Sequence, residues 1–92
     1  MGFPKPVHVR MQYRNGVERV TGTEQEDIIV SEGMVFVQLL HIIFTSYPGI
    51  EKEYPAGALG LTVNGVPPDV YDELHENDIV LITGSKNIKI VH

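Results

Sequence analysis

The spacing of apolar residues changes along this chain, and each change marks an element. Val7, Val9, Met11 and Tyr13 alternate with His8, Arg10, Gln12 and Arg14, the period of two expected of a strand with one buried face. Asn15-Gly16 follows and suits a tight hairpin turn, which would make residues 17–20 the return strand. Residues 17–26 are mostly polar, however, and Gly22 interrupts them. The dipeptide is therefore read as opening a longer loop, with the return strand at Asp27-Ile28-Ile29-Val30.

Residues 34–44 are apolar at nine of eleven positions, Gln38 and His41 being the polar ones. Val35, Val37, Ile42 and Ile43 are β-branched, so a buried strand competes with a helix here. Length decides for the helix: the run spans about 14 residues before Tyr47-Pro48-Gly49, beyond a usual strand. Ser31 is read as its N-cap, with Glu32 near the positive helix end. At helical spacing Phe36, Leu40, Ile43 and Tyr47 line the core side, flanked by Leu39 and Phe44. Gln38, His41 and Thr45 mark the opposite side. Met34, Val35 and Ile42 fall near that nominally wet side, where apolar residues need a reason.

Residues 51–57 read as a polar connection containing the turn former Pro55. Leu59–Val63 is a short apolar strand closed by Asn64-Gly65, a second hairpin signal. Val66 opens a return strand that Pro67-Pro68 confines to an edge or ends early. Residues 69–74 read as a short helical turn, 79–82 as the central strand, and 88–91 as a further strand. This order predicts an α+β chain, a ubiquitin-like β-grasp in which one main helix crosses a mixed sheet of four to five strands. Residues 1–92 are expected to form one domain, with a core at 7–83 and an extension at 84–92.

Composition narrows the functions. Ninety-two residues with 42% hydrophobic and 21% charged content suit a single folded domain. The absence of cysteine excludes disulfide scaffolds, thiolate metal sites and thiol nucleophiles. A net charge of -5 disfavours nucleic acid and favours a basic protein surface. No stretch suits a signal peptide or a membrane span, so no membrane partner and a cytoplasmic location are expected. His8, His41, His75 and His92 lack metal-ligand spacing and read as surface or structural residues. Glu24, Glu26 and Asp27 read as a solvated face rather than a metal site, and Asp69, Asp72 and Glu73 as exposed turn charges. Neither a nucleophile elbow nor a phosphate loop occurs. No catalytic residue, metal or cofactor is expected, and the chain is read as a non-enzyme.

Thr62-Val63-Asn64-Gly65-Val66-Pro67, followed by Leu74-His75-Glu76-Asn77-Asp78-Ile79-Val80, resembles the V-N-G-x-P … L-x-x-x-D-x-V half of the MoaD/ThiS family. These are the molybdopterin-synthase small subunit and the thiamine sulfur carrier. Ser31-Glu32-Gly33 and Tyr47-Pro48-Gly49-Ile50 are similar to the same family's P-E-G and Y-P-G-L segments. The likeness spans roughly residues 7–83, and the wide loop after Asn15-Gly16 also follows that pattern. It implies adenylation of a C-terminal glycine by an activating enzyme, then conversion to a thiocarboxylate that donates sulfur. The family's terminal Gly-Gly has no counterpart: Gly84 stands two residues beyond Ile82, eight more residues follow, and the family's proline-containing tail is absent. The extension is expected to add a strand or cover a sheet edge.

The leading expectation is a protein-binding module or accessory subunit without thiocarboxylate chemistry, making contact through Met34, Val35, His41 and Ile42. That apolar patch either packs against the extension or a loop, or faces another chain, a second copy included. If the family function is retained, the implied partner is an activating adenylyltransferase-like or cofactor-synthesis enzyme. Two alternatives stand beside it. One is a sulfur carrier for molybdopterin or thiamine biosynthesis, activated at Gly84 as a processed terminus. The other is a small subunit of an oxidoreductase.

Overall fold

The computed structural model describes residues 4–55 and 57–84. The elements run β1 (Pro6–Arg14), α1 (Val17–Thr21), β2 (Gln25–Ser31), α2 (Phe36–Ser46), α3 (Gly49–Glu53), β3 (Leu59–Val63) and β4 (Asp78–Gly84). The sheet order is β2-β1-β4-β3. The two inner strands, β1 and β4, are parallel, and each outer strand pairs antiparallel with its neighbour. This is the mixed four-stranded sheet expected of a ubiquitin-like β-grasp. The expected strand at 88–91, and the extension's covering role, lie outside the described residues.

Alternation on β1 holds along its length: Val7, Val9, Met11 and Tyr13 are buried, and the residues between them are not. The helices cover that face. Phe36, Leu39 and Ile43 of α2 meet it, with Leu40, Phe44 and Tyr47 packed at its margin. Within 79–82 only every second residue is buried. Val80 and Ile82 enter the core, while Ile79 is 40% exposed on the uncovered face. The inner strand was thus correctly located, but its apolar run is not buried on both sides.

Local chemistry corrects three expectations and accounts for the early end of the strand at Val66. Residues 17–21 form a helical turn inside the expected loop. Val17 is fully buried, Gly16 N–H bonds Glu18 Oε1 at 2.9 Å, and Gly22, at φ 82°, returns its N–H to Glu18 O at 2.9 Å. Ser31 is not a helix cap but the last residue of β2. Gly33, at φ 94°, then turns the chain, and α2 begins at Phe36. Its first amides find backbone partners instead of a capping side chain. Phe36 N–H donates to Asp72 O at 2.8 Å and Val37 N–H to Val70 O at 2.9 Å, so the 69–74 segment closes the helix end. Pro48-Gly49 stops α2 as expected, but residues 49–53 form α3 rather than a polar connection, with Ile50 buried completely. Val66 makes only an isolated bridge to Val63, because Pro67 and Pro68 have no amide hydrogen to extend a ladder.

The shared motif is explained by packing. Asn64 (φ 54°) and Gly65 (φ 84°) make the tight turn, where positive φ is required. The Asn64 side-chain amide donates to Asp78 Oδ1 at 2.9 Å, and its oxygen accepts Ile79 N–H at 2.9 Å. Asp78 Oδ2 accepts His75 N–H at 2.8 Å, and the residue is only 8% exposed. The β3 turn is thereby tied to the start of β4.

Candidate functional site

Met34 precedes α2 and Ile42 lies in its second half. They line a shallow groove of about 310 Å³ with Pro6, Ile29 and Ser31. Ile42 is 40% exposed and Ile29, on the edge strand β2, is 65% exposed. Val35 is drawn elsewhere, bridging to Glu73 on the loop that closes the helix end. His41 lies exposed on the outer side of α2. The four expected contact residues therefore divide: two form an apolar groove, one is partly covered by a loop, and one is a solvated imidazole. Ile29 was missed by sequence reasoning. The signal was present, because a period of two places it on the same face as Asp27, where an aliphatic side chain is out of pattern. Val70 and Tyr71, 48% and 79% exposed, also went unremarked. They sit on a turn whose chemistry the sequence pattern does not resolve.

The chain segment beside this groove is acidic, although Lys5 lines the groove itself. From residue 20 to residue 51 there is no lysine or arginine, while Glu24, Glu26, Asp27, Glu32 and Glu51 are acidic. Asp27 accepts Arg10 Nε at 2.9 Å, and that guanidinium holds its carboxyl below the usual range. Glu26 corrects the reading of an entirely solvated acidic face. It turns inward, and one of its oxygens accepts the Tyr13 hydroxyl at 2.6 Å and the Tyr47 hydroxyl at 2.9 Å. Burial, reinforced by this carboxylate, pushes both phenols up from 10.0. At the far end of β1, Glu76 accepts His8 N–H at 2.8 Å and His8 Nδ1 at 2.9 Å. The backbone bond leads in lowering its pKa. Among the described residues no cluster of three acidic or histidine side chains could hold a metal ion.

Gly84 is the last described residue of β4, pairs with Leu59 and is buried. A β-carbon there would collide with Tyr54 Cε1 and stand 2.7 Å from both Tyr54 Cζ and the Asn15 carbonyl oxygen. Gly16 faces the same ring from the other side, its β-carbon position overlapping the Tyr54 hydroxyl. That hydroxyl donates to Asn15 O at 3.2 Å. The two glycines make room for one nearly buried aromatic side chain.

No protein-family model and no curated protein matches the chain. Solved structures do. A Pyrococcus furiosus protein assigned as molybdopterin converting factor, subunit 1, superposes with a TM-score of 0.77 at 21% identity, over 85% of this chain and 97% of the other. Small archaeal modifier protein 1 of Haloferax volcanii gives 0.73 at 12% identity, over 85% and 97%. The protein of that name from Methanosarcina acetivorans gives 0.73 at 13% identity, over 92% and 99%. The chain thus has the ubiquitin-like β-grasp fold of MoaD/ThiS type. Identities this low speak for fold and not for chemistry.

Proposed function

We propose that this chain is a protein-binding module or accessory subunit that meets its partner through Met34 and Ile42 on the α2 layer and the neighbouring edge of β2. One observation carries the reading: among the described residues, Met34 and Ile42 leave a groove open beside the β2 edge, and Ile29 is exposed on that edge strand, the kind of surface that proteins use for contact. His41 and Val35 would border that contact. A basic partner suits the surrounding carboxylates. The fold shared with a molybdopterin converting factor subunit supports a partner among activating or cofactor-synthesis enzymes.

The burial of Gly84 favours this reading over the carrier alternative. A carrier must deliver its carboxylate to an activating enzyme. A chain cut at Gly84 would end on a residue paired to Leu59 and packed against Tyr54, so β4 would have to peel from β3 first. No Gly-Gly dipeptide occurs in the sequence. Photo-crosslinkers placed at positions 34 and 42, with control positions 60 and 83, test the proposal in the native host. The expected result is one partner protein captured from 34 and 42 alone, with capture from 34 lost on Ile42→Asp. Intact mass showing a species that ends at Gly84 with sulfur in place of oxygen would establish the carrier instead.

A further inference from the structure

Backbone polarity along β2 shows what kind of segment this surface can hold. Tyr13 N–H donates to Glu24 O and Glu32 N–H to Lys5 O, each at 2.9 Å. In an antiparallel pair this phase alternates. Residues 26, 28 and 30 therefore turn their groups to β1, and Asp27 and Ile29 turn both N–H and C=O outward. Ser31 adds an outward N–H, its carbonyl already accepting Met34 N–H at 3.1 Å. At the other end the edge is closed. The Thr23 hydroxyl donates to Gln25 O at 2.8 Å and accepts Gln25 N–H at 3.4 Å. The opposite edge, β3, is closed at Val63 by mutual bonds with Val66 of 2.9 and 3.1 Å, and two prolines follow, while the same alternation turns Leu59 and Leu61 outward. Among the described residues, the open part of β2 is the part beside the groove.

We propose that this edge accepts an extended segment of the partner by strand addition, and that the segment is basic with aliphatic residues at alternate positions. The inference rests on the docking reading above and deepens it by fixing the partner's chemistry. An added strand would pair with Asp27 and Ile29 through main-chain bonds. Its alternate side chains would fall on the helix side, over Met34 and Ile42, which sets the aliphatic period. The intervening residues would stand beside Ile29 and Asp27. Glu24 and Glu32 are exposed at the two ends of β2. Lys5 lines the groove, Arg10 is bonded to Asp27, and Arg14 reaches the Glu24 carbonyl. Against these three cations stand the four carboxylates of Glu24, Glu26, Asp27 and Glu32, so the balance along β2 is negative, as it is for the chain at -5. A second copy fits poorly, because antiparallel pairing of two β2 edges centred on Ile28 would set Glu24 of each copy opposite Glu32 of the other.

The probe is a synthetic peptide of alternating lysine and valine, capped at both ends. One control replaces each lysine with glutamate, and another carries N-methyl groups on alternate amides. Titrated into isotope-labelled full chain, the lysine peptide is expected to shift the amides of Asp27, Ile29 and Ser31 and slow their hydrogen exchange. Binding should weaken with salt. Ile29→Pro removes an outward donor that no β1 bond uses, and a proline is tolerated on an edge strand. It should weaken peptide binding about tenfold, while Ile29→Val binds normally. Equal binding of either control peptide, or shifts confined to His8, Gln12 and Leu81 on the uncovered sheet face, overturns the proposal. Dimerisation insensitive to the peptide does the same. Loss of binding in Ile42→Asp but not in Ile29→Pro overturns strand addition and leaves the docking reading standing. Loss in neither overturns both.

Discussion

Gly84 is the residue where the two competing accounts of this protein make opposite demands, and Gly84→Ala separates them. If glycine is there for carboxylate chemistry, a methyl group should be tolerated by the fold. If it is there for packing, the methyl must displace Tyr54. That ring is 4% exposed and is held through its hydroxyl to Asn15 O at 3.2 Å, so it cannot swing to solvent without opening α3. The new β-carbon would also stand 2.7 Å from the Asn15 carbonyl oxygen, a backbone atom with little freedom. Overpacking of this kind costs about 1–3 kcal/mol. Replacing a strand glycine by alanine returns about 0.5–1 kcal/mol through the unfolded chain. The net expectation is a loss of about 1–2 kcal/mol. Urea unfolding measures it as a lower midpoint at unchanged slope. The decisive arm is a double-mutant cycle with Tyr54→Leu, in which most of the penalty should disappear, leaving the part due to Asn15. A neutral or stabilising Gly84→Ala refutes the packing account. An equal penalty in the Tyr54→Leu background refutes the role given to the ring.

Other expectations follow from the polar contacts. Glu26→Leu would leave the buried Tyr13 hydroxyl without its acceptor and should cost about 1–3 kcal/mol in urea unfolding, whereas Tyr13→Phe together with Glu26→Leu should recover part of that loss. Tyr13 holds its proton in the folded state to a pH at which the unfolded chain, at 10.0, has released it. This contribution is present below pH 10.0 and is lost as pH rises beyond it. An alkaline unfolding series should therefore show a decline that Tyr13→Phe reduces. Glu76 behaves in the opposite sense: its lowered pKa supplies stability above 4.5 that is lost as pH falls through the folded value. Protection of the His8 amide, relative to its intrinsic exchange rate, should be lost first in acid, and Glu76→Gln should remove that pH dependence. Asp78→Ala strips acceptors from Asn64 and His75. A loss of about 1–3 kcal/mol with earlier exchange at the 64–66 turn is expected, and an unchanged midpoint would contradict the assigned tie.

The fold was legible where periodicity was long enough to read. Nine residues of alternation on β1 and the apolar stripe of α2 set the two layers, and Asn15-Gly16 and Asn64-Gly65 set two of the turns. What escaped was short or non-local. α1 and α3 are five residues each, little more than one turn, too brief for a 3.6-residue period to emerge. Ser31 looked like a cap because its side chain suits one, but α2 is closed by Val70 and Asp72 from far along the chain, a contact that no local rule sees. The groove was half legible. Ile42 and Met34 were out of place on a helical wheel, but Ile29 joins the groove from the edge strand, its register opposite His8 placing its side chain on the uncovered sheet face. Val35 shared their pattern and not their environment.

The motif that carries the family resemblance turns out to be composed of residues the fold itself requires. Gly65 supplies a positive φ, Asn64 and Asp78 lock a turn to a strand, and Leu74 is a buried core residue at 3% exposure. Each would be retained by any β-grasp of this build, whatever its chemistry, so their presence argues for architecture and stays silent on sulfur. Evidence about function has to come from residues the fold does not need in their present form. Ile29 is the clearest of them. At 65% exposure on an edge strand, an aliphatic side chain contributes little to the core, and a charged residue there would guard the edge better against wrong partners. The β3 edge is guarded at Val63 by Val66 and the two prolines, and the Gln25 end of β2 is guarded by Thr23. Among the described residues, the Asp27–Ile29 stretch of β2 stands open beside a groove, an arrangement that folding does not require and that occupation by a partner strand explains.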